Sequence, residues 1–203
     1  MRKLQLQYSD IIQGDFEIKT LNVLLVFQVN CPGCFSYALP FFNNLYKEFT
    51  SKGVSFIALS TAFEDFDKNT FENTKALVEN GDVVGETQKM FLEQDYDSLP
   101  YTLDFPIVMD KIEEELSELD VAIGKICSIN PNYDLLPNLQ KEQLQNQVEK
   151  YLKSLEKIAL TFTLNQLRGT PSFVIFNKDY EILSEWFGHA PYEQISSKIA
   201  SLI

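Results

Sequence analysis

A chain of 203 residues, 45% hydrophobic and 23% charged, has the composition of a globular protein and enough length to bury a sizeable core. Its formal net charge of −12 excludes nucleic acid, which is gripped through Lys and Arg clusters, and disfavours an anionic membrane surface; a monomer is expected. No apolar run approaches the roughly 20 residues that cross a bilayer, and Met1 to Asp10 hold a short basic start with no apolar segment behind it, so a cytoplasmic location is expected.

Residues 1–21 read as an irregular lead-in with one short strand around Phe16-Glu17-Ile18. Leu21 to Val29, nearly continuous Val, Leu and Phe, is the pattern of a strand covered on both faces. It runs into Cys31-Pro32-Gly33-Cys34. Phe35, Leu39, Phe42, Leu45, Tyr46 and Phe49 then recur at helical spacing until Lys52-Gly53. Pro40 falls inside this helix and should kink it. Val54 to Ser60 is the next strand, and strand–helix–strand at this distance predicts a parallel pair with a right-handed crossover. Helices follow from Asn69 to Glu79 and from about Glu86 to Leu92. Asp95 to Asp104 is loop, and Phe105 to Met109 is a short third strand ending at Asp110.

From Lys111 to Arg168 helical patterns replace alternation, broken at Asn130-Pro131-Asn132-Tyr133. The clearest helix carries Leu144, Val148, Tyr151, Leu152, Leu155, Ile158, Ala159 and Phe162 on one face. The organisation read from this is one domain over residues 1–203, with 111–168 as a helical insertion. Cys127 within it reads as a small buried hydrophobe. Gly169-Thr170-Pro171 then precedes an apolar strand, where a proline suits a bend and a cis bond. Asn177 to Tyr180 is a hairpin turn, Glu181 to Phe187 pairs back antiparallel, and a last helix runs from Tyr192 to about Leu202.

The order of strand, Cys-x-x-Cys and helix puts Cys31 at a helix start. Unpaired N–H groups and about half a positive charge there favour a thiolate over a thiol. Cys34 lies one turn in, near enough to close a small ring, so the pair reads as a redox-active disulfide. Other readings stay open. A zinc site would have only Cys127 and His189 left to complete it. A structural disulfide belongs to secreted frameworks that usually hold more cysteines. A degenerate, inactive copy is the third. The redox reading calls for no metal and no organic cofactor.

Cys31-Pro32-Gly33-Cys34 joined with Gly169-Thr170-Pro171-Ser172 and the hairpin Phe173–Phe187 resembles the thioredoxin superfamily, and within it the TlpA-like or redoxin-type thiol–disulfide oxidoreductases. The resemblance covers about residues 20–110 and 168–203. It implies an α/β thioredoxin-like fold, a central mixed sheet flanked by helices, with the helical segment inserted. It also implies that Cys31 is the nucleophile and Cys34 the resolving thiol. Pro171 would be the cis-proline facing the pair, and Thr170, Pro171, Pro32 and Gly33 would form the surface that receives a substrate strand. Partners are then a protein or small-molecule disulfide and a thiol electron donor.

Several positions depart from that pattern. Asn30 stands where the family usually has tryptophan, and Leu25 stands where thioredoxins keep a buried acid. Pro40 comes six residues after the second cysteine instead of five. Glu64 and Asp65 are substitutes for the acid, though solvated loop acids are the plainer reading. Two rival functions follow from the same residues. A peroxiredoxin-type peroxidase would need a Thr at position 28, which is Gln, and would have to use Arg168 to hold peroxide. A non-enzymatic binding module would use the 16 Phe and 9 Tyr as a groove, although such residues are more often core. His189 reads as a loop residue.

Overall fold

The computed structural model describes residues 2–203. The chain forms β1 (Tyr8–Gln13), β2 (Leu21–Phe27), a π-helical turn Cys34–Ala38, α1 (Leu39–Phe49), β3 (Ser55–Ser60), α2 (Phe71–Asn80), α3 (Gly85–Leu92) and β4 (Ile107–Asp110). After these come β5 (Ile112–Glu113), α4 (Leu119–Cys127), α5 (Asn138–Ser154), β6 (Ile158–Ala159) and α6 (Leu160–Leu164). The chain closes with β7 (Ser172–Asn177), β8 (Ile182–Phe187) and α7 (Tyr192–Ala200).

Six strands form one mixed sheet in the order β1-β4-β3-β2-β7-β8. Strands β2, β3 and β4 run parallel, while β1, β7 and β8 each pair antiparallel with their neighbours. Every residue of β2 is buried. Val23, Leu25 and Phe27 point into a cluster with Phe42 of α1 and Ile195 and Ile199 of α7. Leu24 and Val26 point to the opposite face, against Phe162 of α6 and Leu4. The alternation of a pleated strand therefore supplies both cores at once, and full burial contributes about 1.5–3 kcal/mol for each such side chain. The continuous apolar run of β2 has its explanation here.

Three expectations need correcting. The first strand is Tyr8–Gln13 and not Phe16–Ile18; it adds to the sheet edge beside β4 through an irregular register, which blurs the period-2 signal. Phe16 and Ile18 instead pack beneath the sheet. The long helix expected to run through Phe162 ends at Ser154. Ile158 and Ala159 pair with β5, and α6 starts afresh at Leu160. Apolar residues at helical spacing along Leu144–Phe162 thus belong to two helices with a bridge between them. Finally, Pro40 does not lie within an uninterrupted α-helix: it is the second residue of α1, directly after the π-helical turn Cys34–Ala38.

The segment between β4 and β7 builds its own apolar cluster from Ile123, Ile126, Val148, Leu152 and Leu164. Cys127 is buried in it as a free thiol. The amide of Leu160 donates to the carbonyl of Lys111 at 2.8 Å, so this excursion leaves and rejoins the sheet at one point.

Candidate active site

The carboxyl end of β2 opens toward the Cys31–Cys34 pair, the usual place for chemistry on a parallel sheet. The two sulfurs are joined as a disulfide, with Cα atoms 5.3 Å apart. Cys31 is half-buried, whereas Cys34 is fully buried at the base of the π turn. Of the residues between them, Pro32 is half-buried and Gly33 exposed. The amide of Cys34 points at Cys31 Sγ at 3.2 Å. A donor already aimed at that sulfur stabilises negative charge on it once the disulfide opens.

The π turn explains the late proline. Leu39 N–H reaches back five residues to the Cys34 carbonyl, so the turn absorbs one extra residue before α1 begins. This leaves the Phe35 carbonyl without a helical partner. Its α-type donor, Leu39, is taken, and the residue one further on, Pro40, has no N–H. The Tyr101 hydroxyl fills the gap, donating to Phe35 O at 2.6 Å. Burial pushes the Tyr101 phenol well above its ordinary range, which keeps it a donor.

Facing the pair across the site is the loop before β7. The Thr170–Pro171 peptide is cis, and the Thr170 carbonyl lies 3.8 Å from Cys31 Sγ. The Thr170 hydroxyl donates to Oε1 of Gln28 at 2.9 Å. Gln28 is buried and fixes the loop to the end of β2. Pro171 accepts from the Gly188 amide at 2.8 Å. The structure therefore brings Cys31, Cys34, Thr170 and Pro171 together.

The substitutes for a buried acid do not line up with the sulfurs. The Asp65 carboxylate takes Asn30 Nδ2 at 2.8 Å, and Glu64 contributes its backbone carbonyl to Asn69 and Gln28. Both carboxylates are exposed. Leu25 is fully buried in apolar surroundings. A buried acid lies instead at the end of β4. Asp110 accepts from Thr61 Oγ1 at 2.7 Å and from the amides of Thr161 and Phe162 at 2.9 and 3.2 Å, at the start of α6. Burial pushes its carboxyl up to about 6 against the pull of these donors.

Asn30, expected only as a departure, turns out to be a clamp. Its amide donates to Asn69 Oδ1 at 2.9 Å, and its side-chain oxygen accepts the Glu86 amide at 2.7 Å in the first turn of α3. Gly85, at φ 57°, leaves the room this needs, since a Cβ there would collide with the Asn30 side chain. His189 stacks on Tyr37 of the π turn with ring centres 3.7 Å apart, one residue past the glycine bonded to Pro171. Neither role is legible in the sequence, because the partners are 35 or more residues away in the chain. Most of the phenylalanines are core, with Phe35, Phe42, Phe56, Phe105, Phe173 and Phe176 fully buried. Among the described residues, no three His, Cys, Asp or Glu side chains are grouped to hold a metal ion.

Solved structures share this architecture. The chain superposes on a thioredoxin-like superfamily protein with a TM-score of 0.60 at 18% identity, over 100% of this chain and 96% of the other. A thiol-disulfide isomerase from Corynebacterium glutamicum matches with a TM-score of 0.60 at 18% identity, over 98% and 94%. A thioredoxin-like protein in its oxidised form matches at 0.51 and 10% identity, over 99% and 95%. No protein-family model matches the chain, and no curated protein does. The fold is thioredoxin-like.

Proposed function

We propose that this chain is a thiol–disulfide oxidoreductase of the TlpA-like or redoxin type that reduces protein disulfides. The observation that carries the reading is the joined pair itself: a half-buried Cys31 and a fully buried Cys34 at one helix start, with the Thr170 carbonyl against the Cys31 sulfur.

In the reduced form, the Cys31 thiolate attacks one sulfur of a substrate disulfide. That S–S bond breaks, one substrate thiolate leaves and takes up a proton, and a mixed disulfide forms on Cys31. Cys34 then loses its proton and attacks Cys31 Sγ. The second substrate thiol is released and the Cys31–Cys34 bond closes. Two electrons have passed to the substrate, and an external thiol donor returns them. Thr170 and Pro171 offer the edge along which an extended substrate segment pairs, with Pro32 and Gly33 as the adjoining surface. A cytoplasmic setting, proposed with this activity, favours the reducing direction.

Reduced protein should lose two titratable thiols on mild oxidation and regain them with a thiol reductant, and should reduce insulin disulfides. Cys31→Ser should abolish turnover, and Cys34→Ser should accumulate the mixed disulfide. Full insulin reduction by Cys31→Ser would sink the reading. A reduction potential near that of the strong oxidants would reverse the proposed direction.

A further inference from the structure

We propose that Arg168 selects disulfides that carry a carboxylate beside the reacting sulfur; the proposal rests on the oxidoreductase reading above and names its substrate class.

The chain has only two arginines. Arg2 is paired with Glu185. Arg168 is exposed, and among the described residues no carboxylate lies within ion-pair distance of it. Its guanidinium instead sits 5.5 Å above the centre of the Phe187 ring. Several lysines are likewise without an ion pair among the described residues; what sets Arg168 apart is its place two residues before Thr170.

The ring beneath the cation is placed by its neighbours. Phe187 remains 45% exposed and lies against Gly169, where an added Cβ would fall 2.7 Å from the ring. Gly169 also holds φ at 156°, so glycine meets both demands. The next residue after Phe187 is tied to Pro171 through the Gly188 amide. Arg168 is two residues before Thr170, a span of at most roughly 7 Å, and the Thr170 carbonyl touches Cys31 Sγ at 3.8 Å. A segment paired along Thr170 therefore passes its neighbouring side chains beside Arg168.

Stacking on an aromatic face leaves the guanidinium edge free, and that edge matches a carboxylate in a two-pronged bond. The other side of the site has the opposite character. Glu64, Asp65 and Glu86 are exposed around Asn30, and of these Glu86 is neutralised by Lys89. Exposed carboxylates thus stand on the Asn30 side, with Lys68 acting on Asp65, and the Arg168 guanidinium stands on the other, beside the Arg2–Glu185 pair.

The test compares rates of exchange between the reduced protein and defined disulfides, followed through Trp186, the single tryptophan, on β8. The probes are two short peptide disulfides with Glu or Gln next to the cysteine, oxidised glutathione, and neutral bis(2-hydroxyethyl) disulfide. The Glu peptide should react roughly fivefold faster than the Gln peptide at low salt, and the ratio should approach one at high salt. In Arg168→Gln the ratio should be one; in Arg168→Glu it should invert. Glutathione outpacing the neutral disulfide, with the same response to the variants, would identify a free carboxylate source in place of a protein one. A Glu/Gln ratio of one in the wild type, or a ratio unchanged in Arg168→Gln, overturns the proposal and leaves the oxidoreductase reading intact. Failure to exchange with any of the probes overturns both.

Discussion

Asn30 ties three segments at the mouth of the site: the loop around Asp65 and Asn69, the first turn of α3, and the end of β2. Its side chain both donates and accepts, so Asn30→Ala leaves the Glu86 amide without its cap. We expect a loss of about 1–2 kcal/mol in urea unfolding, with little change in the buried core. Asp110 has a pH signature. Its carboxyl is raised to about 6 in the folded chain from an ordinary 3.8, so the folded state holds a proton that the unfolded state has released. Its contribution is therefore complete below about pH 4 and declines as the pH rises through 6, by about 3 kcal/mol in all. Denaturant unfolding between pH 4 and 7 should show that decline, and Asp110→Asn should flatten it. A slope unchanged by the substitution would show that Asp110 does not titrate in this range.

The junction between the π turn and α1 depends on Tyr101 at the level of the element. Tyr101→Phe removes the sole donor found for the Phe35 carbonyl while keeping the ring among its apolar neighbours. The expected cost is about 1–3 kcal/mol, seen as a lower urea midpoint, and the amides of Leu39 and Phe41 should exchange faster with deuterium. Unchanged exchange would mean that the turn holds itself. At the same scale, periodicity alone misplaces one helix boundary. Helical spacing from Leu144 to Phe162 was real, yet β5 draws Ile158 and Ala159 out of the helix, and Asp110 supplies the donors' partner that starts α6. A helix boundary set by a carboxylate some 51 residues earlier has no local signature.

For the whole molecule, the excursion from Ile112 to Ala159 leaves and returns at the Lys111–Leu160 hydrogen bond and carries its own apolar cluster. Replacing residues 114–157 by a short Gly-Ser linker should preserve the six-stranded sheet and the reversible titration of two thiols. It should also lower Tm, because Leu160 and Leu164 lose their cover. Loss of the two-thiol cycle in a folded shortened chain would mean that the excursion serves the site directly.

Much of this was legible in the residues. The nearly continuous apolar stretch Leu21–Val29, Cys-x-x-Cys and Gly-Thr-Pro ahead of a hairpin placed the central strands, the helix start and the loop that faces it. Those features are local: periodicity, the dipole at a helix terminus and the missing donor of proline act over a few residues. What only the tertiary structure decided is how far-apart polar groups meet: Asn30 with Glu86, Thr170 with Gln28, Tyr101 with Phe35, Tyr37 with His189, and Arg168 with Phe187. Hydrogen bonds and ring contacts act over a few ångströms, so their partners are chosen by how the sheet and helices pack, and sequence distance leaves no record of the choice.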